Sequence, residues 1–316
     1  MTKRIAVRLL SILITLFLVS LAVYSLEYLS LGDSLSIILS EEATEENFAS
    51  YSQSIGYSTG YLAGYLRYIS SFFRLEWGKT ISGQSIASVI FSRLPLTLSL
   101  SCFSLLLSIV FSFSWAVLAV MKKGRIAKAG EAFSLFAMSL PSFLISLILI
   151  LLFGVLLKLF PVAGYVPASV SLPLYLKSMF LPSLSLAIVS APLYLRIYKA
   201  ELERQAESSY SLSIIAQGGD RKDVILYSAL KPSLLFGISI LSESFASALA
   251  GSAVVESVFA LPGFGSLMVA AALSRDMQLS GITILVISIM VSAVYLVSET
   301  LQLVLDPRVR RRGEEA

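Results

Sequence analysis

The sequence contains few side chains that carry out chemistry in enzymes. Histidine is absent, and the single cysteine, Cys102, lies within an apolar run. A chain without histidine has no Ser-His or Cys-His nucleophile and none of the usual zinc sites. Ser228 and Lys231 have the Ser-x-x-Lys spacing of penicillin-binding enzymes, but the Ser-Asp-Asn and Lys-Thr-Gly partners of that motif do not accompany them. We therefore expect no catalysis by this chain.

The segment 200–223 is the longest charged, helix-competent stretch between two apolar runs. Its acidic and basic residues favour water, whereas Leu212, Ile214 and Ile215 provide an apolar side. Gly218 is expected to end a helix here, because glycine adopts the left-handed conformation that closes a helix C-terminus. A short amphipathic helix in this position indicates a docking element for a soluble partner. The alternative is an ordinary cytosolic loop.

The elements that position this segment are apolar. The chain has 316 residues, of which 56% are hydrophobic and 14% charged, so it is predicted to be an all-α integral membrane protein. Each long apolar run is sufficient to cross about 30 Å of hydrocarbon at about 1.5 Å per residue. The six predicted transmembrane helices are 9–26, 94–121, 132–160, 179–198, 224–256 and 280–305.

Two acidic residues, Glu243 and Glu299, lie inside these predicted spans. A carboxylate within a membrane is expensive and is usually functional. Small and polar residues flank Glu243 at helical spacing, which is typical of a face that meets water or another helix. Ser239, Glu243 and Ser247 are therefore predicted to border a translocation path. The alternative is a carboxyl group hydrogen-bonded to a serine of a neighbouring span, and Glu299 is expected near the cytosolic end.

The basic residues predict the orientation. If the N-terminus is cytosolic, most of the 24 lysines and arginines fall on the cytosolic side, as the positive-inside rule requires. Both termini and segment 200–223 are then cytosolic, and the acidic, tyrosine-rich insertion between spans 1 and 2 is extracytoplasmic. The predicted divisions are an N-terminal span 1–26, a cap segment 27–93, a five-span core 94–305 and a cytosolic tail 306–316.

Several motifs follow one another in a recognisable order. They are Arg93-Leu-Pro-Leu-Thr97, Ser139-Leu-Pro-Ser-Phe143, Glu256-Ser-Val-Phe-Ala-Leu-Pro-Gly-Phe-Gly-Ser-Leu267 and Leu305-Asp-Pro-Arg-Val-Arg310. With them the chain resembles the permease subunits of ABC importers of the dipeptide, oligopeptide and nickel type, specifically the first of their two permeases. The resemblance implies structural roles for Pro141, Glu256, Pro262, Gly263, Gly265, Asp306, Pro307 and Arg308.

The resemblance also implies a role for segment 200–223. It aligns with the cytoplasmic loop that docks in a cleft of the ATPase in this family. The sequence departs from the family pattern at Ile214-Ile215, where Ala-Arg is usual, and at Gln217, where lysine is usual. The implied ATPase-coupling residues are Glu207, Tyr210, Ile214, Ile215, Ala216, Gln217 and Gly218.

The function implied is that of a permease subunit in an ATP-driven, binding-protein-dependent importer of the cell membrane. The expected partners are a second, similar permease, two cytosolic ATPases, an extracytoplasmic substrate-binding protein and membrane lipid, with no nucleic acid. No cofactor is expected on this chain, because ATP and Mg²⁺ belong to the ATPases. The family transports peptides, oligosaccharides or metal chelates, and the sequence does not distinguish these substrates.

The alternative function is a secondary transporter or channel that is not driven by ATP. Such proteins are often built from inverted repeats with broken spans in corresponding positions of both halves. The sequence contains no such repeat that we can identify.

Overall fold

The computed structural model describes residues 2–29, 60–122, 124–237 and 240–305. Within these ranges the regular secondary structure is helical, apart from one isolated β-bridge between Lys79 and Ser85. The all-α prediction is confirmed. The helices are α1 (Thr2–Leu29), α2 (Tyr61–Phe73), α3 (Ile86–Lys122), α4 (Arg125–Ser139), α5 (Ser142–Leu149), α6 (Leu172–Ala206), α7 (Ser209–Ala216), α8 (Arg221–Asp223), α9 (Leu230–Gly237), α10 (Leu241–Val258), α11 (Phe264–Leu273) and α12 (Met277–Leu305), with π-helical segments at Ile150–Leu156 and Val224–Ala229.

Four described helices are long and apolar enough to cross a membrane: Ala6–Leu29, Ile86–Lys122, Leu172–Ala206 and Met277–Leu301. Helix α4 and the helix that follows it form a fifth crossing if they are counted together, although they bend by 108°. The bend occurs because Leu140 is extended and Pro141 then precedes the first residue of α5. A residue before proline disfavours the α conformation, so a straight helix cannot pass through this point.

The predicted span 224–256 is described as three helical segments. They are the π-helical segment Val224–Ala229, then α9, and then α10, while residues 238 and 239 lie outside the described residues. Pro232 contributes to the π-helical irregularity, because it has no N–H to donate to the carbonyl group of Ser228 one turn earlier. A π-helical turn accommodates such a defect. The described chain therefore contains four or five of the six predicted crossings as apolar helices.

The chain divides into two compact units. The described residues of the first unit are 97–262 and 297–305, and its core joins the second half of α3 to α6 and to the π-helical segment after α8. Serine hydroxyl groups allow α3 and α6 to approach closely: Ser108 Oγ lies 2.7 Å from Ser190 Oγ, and Ser112 Oγ donates to the Ala191 carbonyl at 2.9 Å. Small residues and interhelical hydrogen bonds are the typical means of packing helices in lipid.

The second unit comprises the described residues of Thr2–Leu96 together with Gly263–Leu296. Its core is aromatic: Tyr24 of α1 is fully buried, and its ring centre lies 5.4–5.6 Å from those of Tyr61, Tyr65 and Tyr68 on α2. Hydroxyl pairs between Ser20 and Tyr65 at 2.8 Å, and between Ser25 and Tyr61 at 2.7 Å, join the same two helices. Three tyrosines of the predicted cap segment thus pack on α1, while residues 30–59 of that segment lie outside the described residues.

Candidate functional site

Helix α7 forms where the sequence predicts a short helix with a glycine stop. Ser208 precedes it, and the Ser208 hydroxyl accepts the Ser211 N–H at 3.4 Å. At the other end Gly218 N–H donates to the Ile215 carbonyl and Gly219 N–H to the Ile214 carbonyl, both at 3.0 Å. This pair of bonds is a Schellman motif, which requires a left-handed residue, and Gly218 has φ +87°. The predicted helix and its stop are confirmed.

The chain after α7 is attached to the rest of the first unit by Asp220 and Arg221. The Asp220 carboxylate accepts the N–H groups of Lys222 and Asp223 at 2.8 and 3.0 Å, and the Asp223 carboxylate accepts the Asp220 N–H at 2.9 Å. The backbone hydrogen bond from Asp223 lowers the pKa of Asp220 below its usual range. Arg221 Nε donates to the Val120 carbonyl of α3 at 3.1 Å, so this end of the loop is fixed to a membrane helix.

Ser211 attaches α7 itself to its surroundings. Its side chain is fully buried, its hydroxyl donates to the Gln205 carbonyl at 2.8 Å, and it lies 2.7 Å from the Ser228 hydroxyl. Helix α7 is thereby joined to the end of α6 and to the π-helical segment that follows α8. Sequence reasoning missed Ser211 and Ser228, because a serine in a short helix has no periodic signal and its partners are distant in the sequence.

Helix α7 exposes three large apolar side chains. Tyr210, Leu212 and Ile215 are 61%, 61% and 54% exposed. Large apolar side chains that are exposed on a segment in water favour an interaction with another protein. Among the predicted coupling residues Glu207, Tyr210, Ile215, Ala216, Gln217 and Gly218 are exposed, and Ile214 is half-buried.

A groove of about 500 Å³ lies beside α7. Arg204 and Lys231 contribute the basic side chains of its lining, and Tyr210 and Tyr227 contribute exposed aromatic rings. Arg204 is oriented by the buried Glu201 carboxylate, which it contacts with two nitrogens at 2.6 and 2.8 Å. A groove with basic and aromatic lining is suited to an acidic or aromatic side chain of a partner protein.

Two of the three candidate path residues lie within the described residues. Ser239 lies outside the described residues. Glu243 belongs to the first turn of α10 and is exposed, and Ser247 lies one turn later, also exposed. The two described residues therefore share one face. The role of Ser239, Glu243 and Ser247 in a translocation path stays a prediction.

Several of the motif residues stabilise the fold through their contacts. Glu256 is fully buried, its carboxylate accepts the Thr97 hydroxyl at 2.6 Å, and its carbonyl accepts the Leu261 N–H at 2.8 Å. In the second unit Gly263 immediately precedes α11 and donates its N–H to the Ser266 hydroxyl at 3.1 Å. Of the remaining motif residues, Pro141 precedes α5, Pro262 is exposed, Gly265 is buried, and Asp306, Pro307 and Arg308 lie outside the described residues.

Within the described ranges, no three side chains of the types His, Cys, Asp or Glu come close enough together to hold a metal ion. The expectation that this chain binds no cofactor stays a prediction.

Comparison with known proteins identifies the family. A profile described as "Binding-protein-dependent transport system inner membrane component" matches residues 108–311, which include α7 and the Glu256 motif. The chain is 25% identical over 313 residues to a dipeptide transport system permease protein of Lactococcus lactis, aligning 98% of this chain and 100% of the relative. It is 24% identical over 313 residues to a nickel import system permease protein of Staphylococcus aureus, aligning 98% and 92%.

A Brucella abortus protein, provisionally named as a peptide transport system permease, is 27% identical over 312 residues, aligning 98% of this chain and 99% of the relative. Helices long and apolar enough to cross a membrane, a loop helix with exposed apolar side chains and a profile match over more than half of the chain agree with one another. The chain belongs to the family of binding-protein-dependent transport system inner membrane components, the membrane-embedded permease subunits of ABC importers.

Proposed function

We propose that this chain is one of two similar permease subunits of an ATP-driven importer, and that α7 docks in the cleft of a cytosolic ATPase. The observation that carries the proposal is the exposure of three large apolar side chains on α7: Tyr210, Leu212 and Ile215. Charged residues flank α7 in the sequence, so these side chains belong in water and favour a protein partner. The complete assembly would contain a second permease, two ATPases and an extracytoplasmic binding protein.

The mechanism follows from the attachments of α7. When the ATPases close, the helix lodged in their cleft moves as a rigid body. Ser211 passes this displacement to the end of α6 and to the π-helical segment, and Arg221 passes it to the end of α3. ATP and Mg²⁺ remain in the ATPases, and this chain contributes no cofactor site.

We propose six crossings with both termini cytosolic. Four are long apolar helices, and the bent α4–α5 region is the fifth. Helix α10 would supply the sixth, because its 18 residues span about 27 Å at about 1.5 Å per residue. Its two glutamates, Glu243 and Glu256, and its serines make it less apolar than the others, which suits a helix that faces protein or water.

The proposed cargo is a peptide. The names of the Brucella and Lactococcus relatives refer to peptides and dipeptides, and the name of the Staphylococcus relative refers to nickel. Uptake of a labelled dipeptide by the assembled complex in vesicles, compared with a nickel chelate and an oligosaccharide, distinguishes these cargoes. Uptake driven by an ion gradient without ATP would instead establish a secondary transporter.

The coupling proposal is tested with Tyr210→Asp. Burial of a charged side chain at the centre of an interface should lower recovery of the ATPases with the tagged permease by about ten-fold or more, which is the effect of losing an aromatic anchor. Ser213→Ala is the matched control, because the Ser213 hydroxyl is exposed and bonds only to the Tyr210 carbonyl of the same helix. Undiminished recovery of the ATPases with Tyr210→Asp would contradict docking through α7.

The path proposal is tested with Glu243→Ala. A carboxylate in the first turn of a membrane-crossing helix is unfavourable where it faces lipid, so an exposed Glu243 is expected to face the translocation path. The substitution should lower uptake more than it lowers the amount of assembled complex. Glu203→Ala, at an exposed position near the cytosolic end of α6, is the control. Normal uptake by the Glu243→Ala complex would exclude a role in the path.

A further inference from the structure

A groove of about 360 Å³ lies between α3, α4 and α6 in the first unit. Small residues of its lining, Ala119, Ala127 and Gly130, keep it open. A Cβ atom at Gly130 would lie 3.0 Å from Trp115 Nε1 and 3.3 Å from Leu195 Cδ2, so a larger residue here would displace both side chains. The groove is thus produced by close approach of three helices at one glycine.

The lining of this groove is basic. Arg196 and Lys199 come from α6, and Lys199 Nζ lies 2.9 Å from Glu131 Oε1 of α4. Two basic side chains and one acidic one, Glu131, leave the lining with a net charge of +1, and Glu203 follows one turn after Lys199 on α6. Three further basic residues end α3 and begin α4, two of the helices that line the groove: Lys122, Arg125 and Lys128. The local charge therefore favours an anion.

A second groove of about 430 Å³ adjoins the first and is apolar. Trp115 lines both grooves and separates them. Its ring is fixed, because Nε1 donates to the Ile126 carbonyl at 3.2 Å and the ring stacks on Phe133 at 5.7 Å between centres. The other side chains of the second groove are Val110, Phe111, Ser114, Leu118 and Ile126.

The two grooves are placed near the end of the membrane segment that leads to α7. Arg196 precedes Ala206, the last residue of α6, by ten residues, or about 15 Å along the helix axis. Tryptophan, lysine and arginine are typical of the membrane–water interface. An amphiphile with an anionic head and an apolar tail matches a basic groove that adjoins an apolar one.

We propose that this site binds an anionic phospholipid of the cytosolic leaflet. The phosphate group would lie between Arg196 and Lys199, and an acyl chain would lie along Val110, Phe111 and Leu118 beyond the Trp115 ring. Basic pockets between membrane helices recognise anionic head groups in this way. The inference rests on the proposed function only for the leaflet, since lipid binding by this chain requires no ATPase.

The test uses Trp115 as its own reporter. The chain has two tryptophans, and Trp77, which is buried in the second unit and stacks on Phe72, is replaced in Trp77→Phe. The full chain is placed in nanodiscs that contain brominated phosphatidylglycerol or brominated phosphatidylcholine at the same mole fraction. Trp115 fluorescence should be quenched at a lower mole fraction of the anionic lipid.

Removal of the basic side chains measures how much they contribute to the lipid preference. Each basic residue near an anionic lipid surface contributes about a five-fold preference, so Arg196→Gln with Lys199→Gln should abolish the preference for phosphatidylglycerol. Lys177→Gln, on the same helix at its outer end, is the matched control and should retain it. Equal quenching by both lipids in the unsubstituted background, or an unchanged preference in the double variant, would overturn the proposal.

Two further measurements complete the test. The first needs no substitution that could cause misfolding, and the second asks whether another subunit occupies the groove. Without any substitution at the groove, the preference should decrease with rising salt, because screening weakens exposed charge pairs; a preference independent of salt would contradict head-group recognition. In the assembled importer, Leu135→p-benzoylphenylalanine places a photo-crosslinker at an exposed position of the groove. A lipid adduct supports the proposal, and a crosslink to another subunit would overturn it. The lipid measurements do not depend on ATPase binding. They still test the lipid proposal if the ATPases fail to bind Tyr210→Asp or the unsubstituted chain.

Discussion

Helix α2 of the second unit and helix α7 of the first unit both bury polar side chains and expose apolar ones. On α2 the buried side chains include Tyr65 and Tyr68, and Leu62 and Phe73 are exposed. On α7 the buried residue is Ser211, and the exposed residues include Tyr210, Leu212 and Ile215. Hydroxyl groups attach both helices to their neighbours.

The two attachments differ in how much apolar surface the side chain with the hydroxyl group buries. Tyrosine rings bring a large apolar surface, so α2 is held against α1 by packing as well as by hydrogen bonds. Ser211 brings almost none, so the attachment of α7 at this residue consists of hydrogen bonds. Such an attachment buries little apolar surface, which suits a helix that moves as a unit in the proposed coupling role.

The largest effect is expected from Tyr24→Ala, which removes the centre of the aromatic cluster. Loss of a fully buried aromatic side chain destabilises a core by about 3–5 kcal/mol. Helix α2 should become sensitive to protease, and the thermal midpoint of the purified complex should fall, while recovery of the ATPases is retained. Leu29→Ala, at an exposed position on the same helix, is the control. Unchanged protease resistance would show that packing on α1 does not hold α2.

A smaller effect is expected from Ser211→Ala. The substitution removes both hydrogen bonds and leaves the buried Gln205 carbonyl without this donor, which destabilises the attachment of α7 by about 1–3 kcal/mol. The ATPases should still bind, because the exposed apolar side chains of α7 are intact, but fewer substrate molecules should be transported for each ATP hydrolysed.

The ratio of transport to hydrolysis separates this role from a general loss of stability, which would lower both rates together. Ser213→Ala should leave the ratio unchanged, because the Ser213 hydroxyl bonds within α7. An unchanged ratio in Ser211→Ala would mean that α7 transmits force through other contacts.

The smallest effect concerns Asp220 and pH. Backbone hydrogen bonds from Asp223 and Lys222 lower the pKa of Asp220 in the folded chain. The stabilisation is therefore fully present above the unfolded value of about 3.9 and is lost as the pH falls through the lower folded value. Asp220→Asn accepts the same hydrogen bonds without a titrating group.

Amide hydrogen exchange at Lys222 and Asp223 between about pH 3 and pH 6 measures this change. After correction for the intrinsic exchange rate, protection should fall toward the acid end in the unsubstituted chain and stay level in Asp220→Asn. The same decline in both proteins would assign the pH dependence to another group.

Local sequence signals predicted the parts of this fold that depend on neighbours along the chain. Gly218 predicted the end of α7, because only its own left-handed conformation is involved. Long apolar runs predicted α1, α3, α6 and α12 as membrane helices. The same signals did not predict the bend at Pro141 or the π-helical turn before Pro232, since apolarity does not reveal where a helix is interrupted.

The sequence by itself determined the membrane class, the family and the position of α7, because each depends on composition, spacing or ordered motifs. Only the tertiary structure decided that Ser211 joins Ser228, that Glu256 receives the Thr97 hydroxyl, and that Trp115 separates two grooves. These contacts join residues far apart in the chain. Their partners are selected by how helices pack, and a periodic pattern within one segment contains no information about the side chains of another.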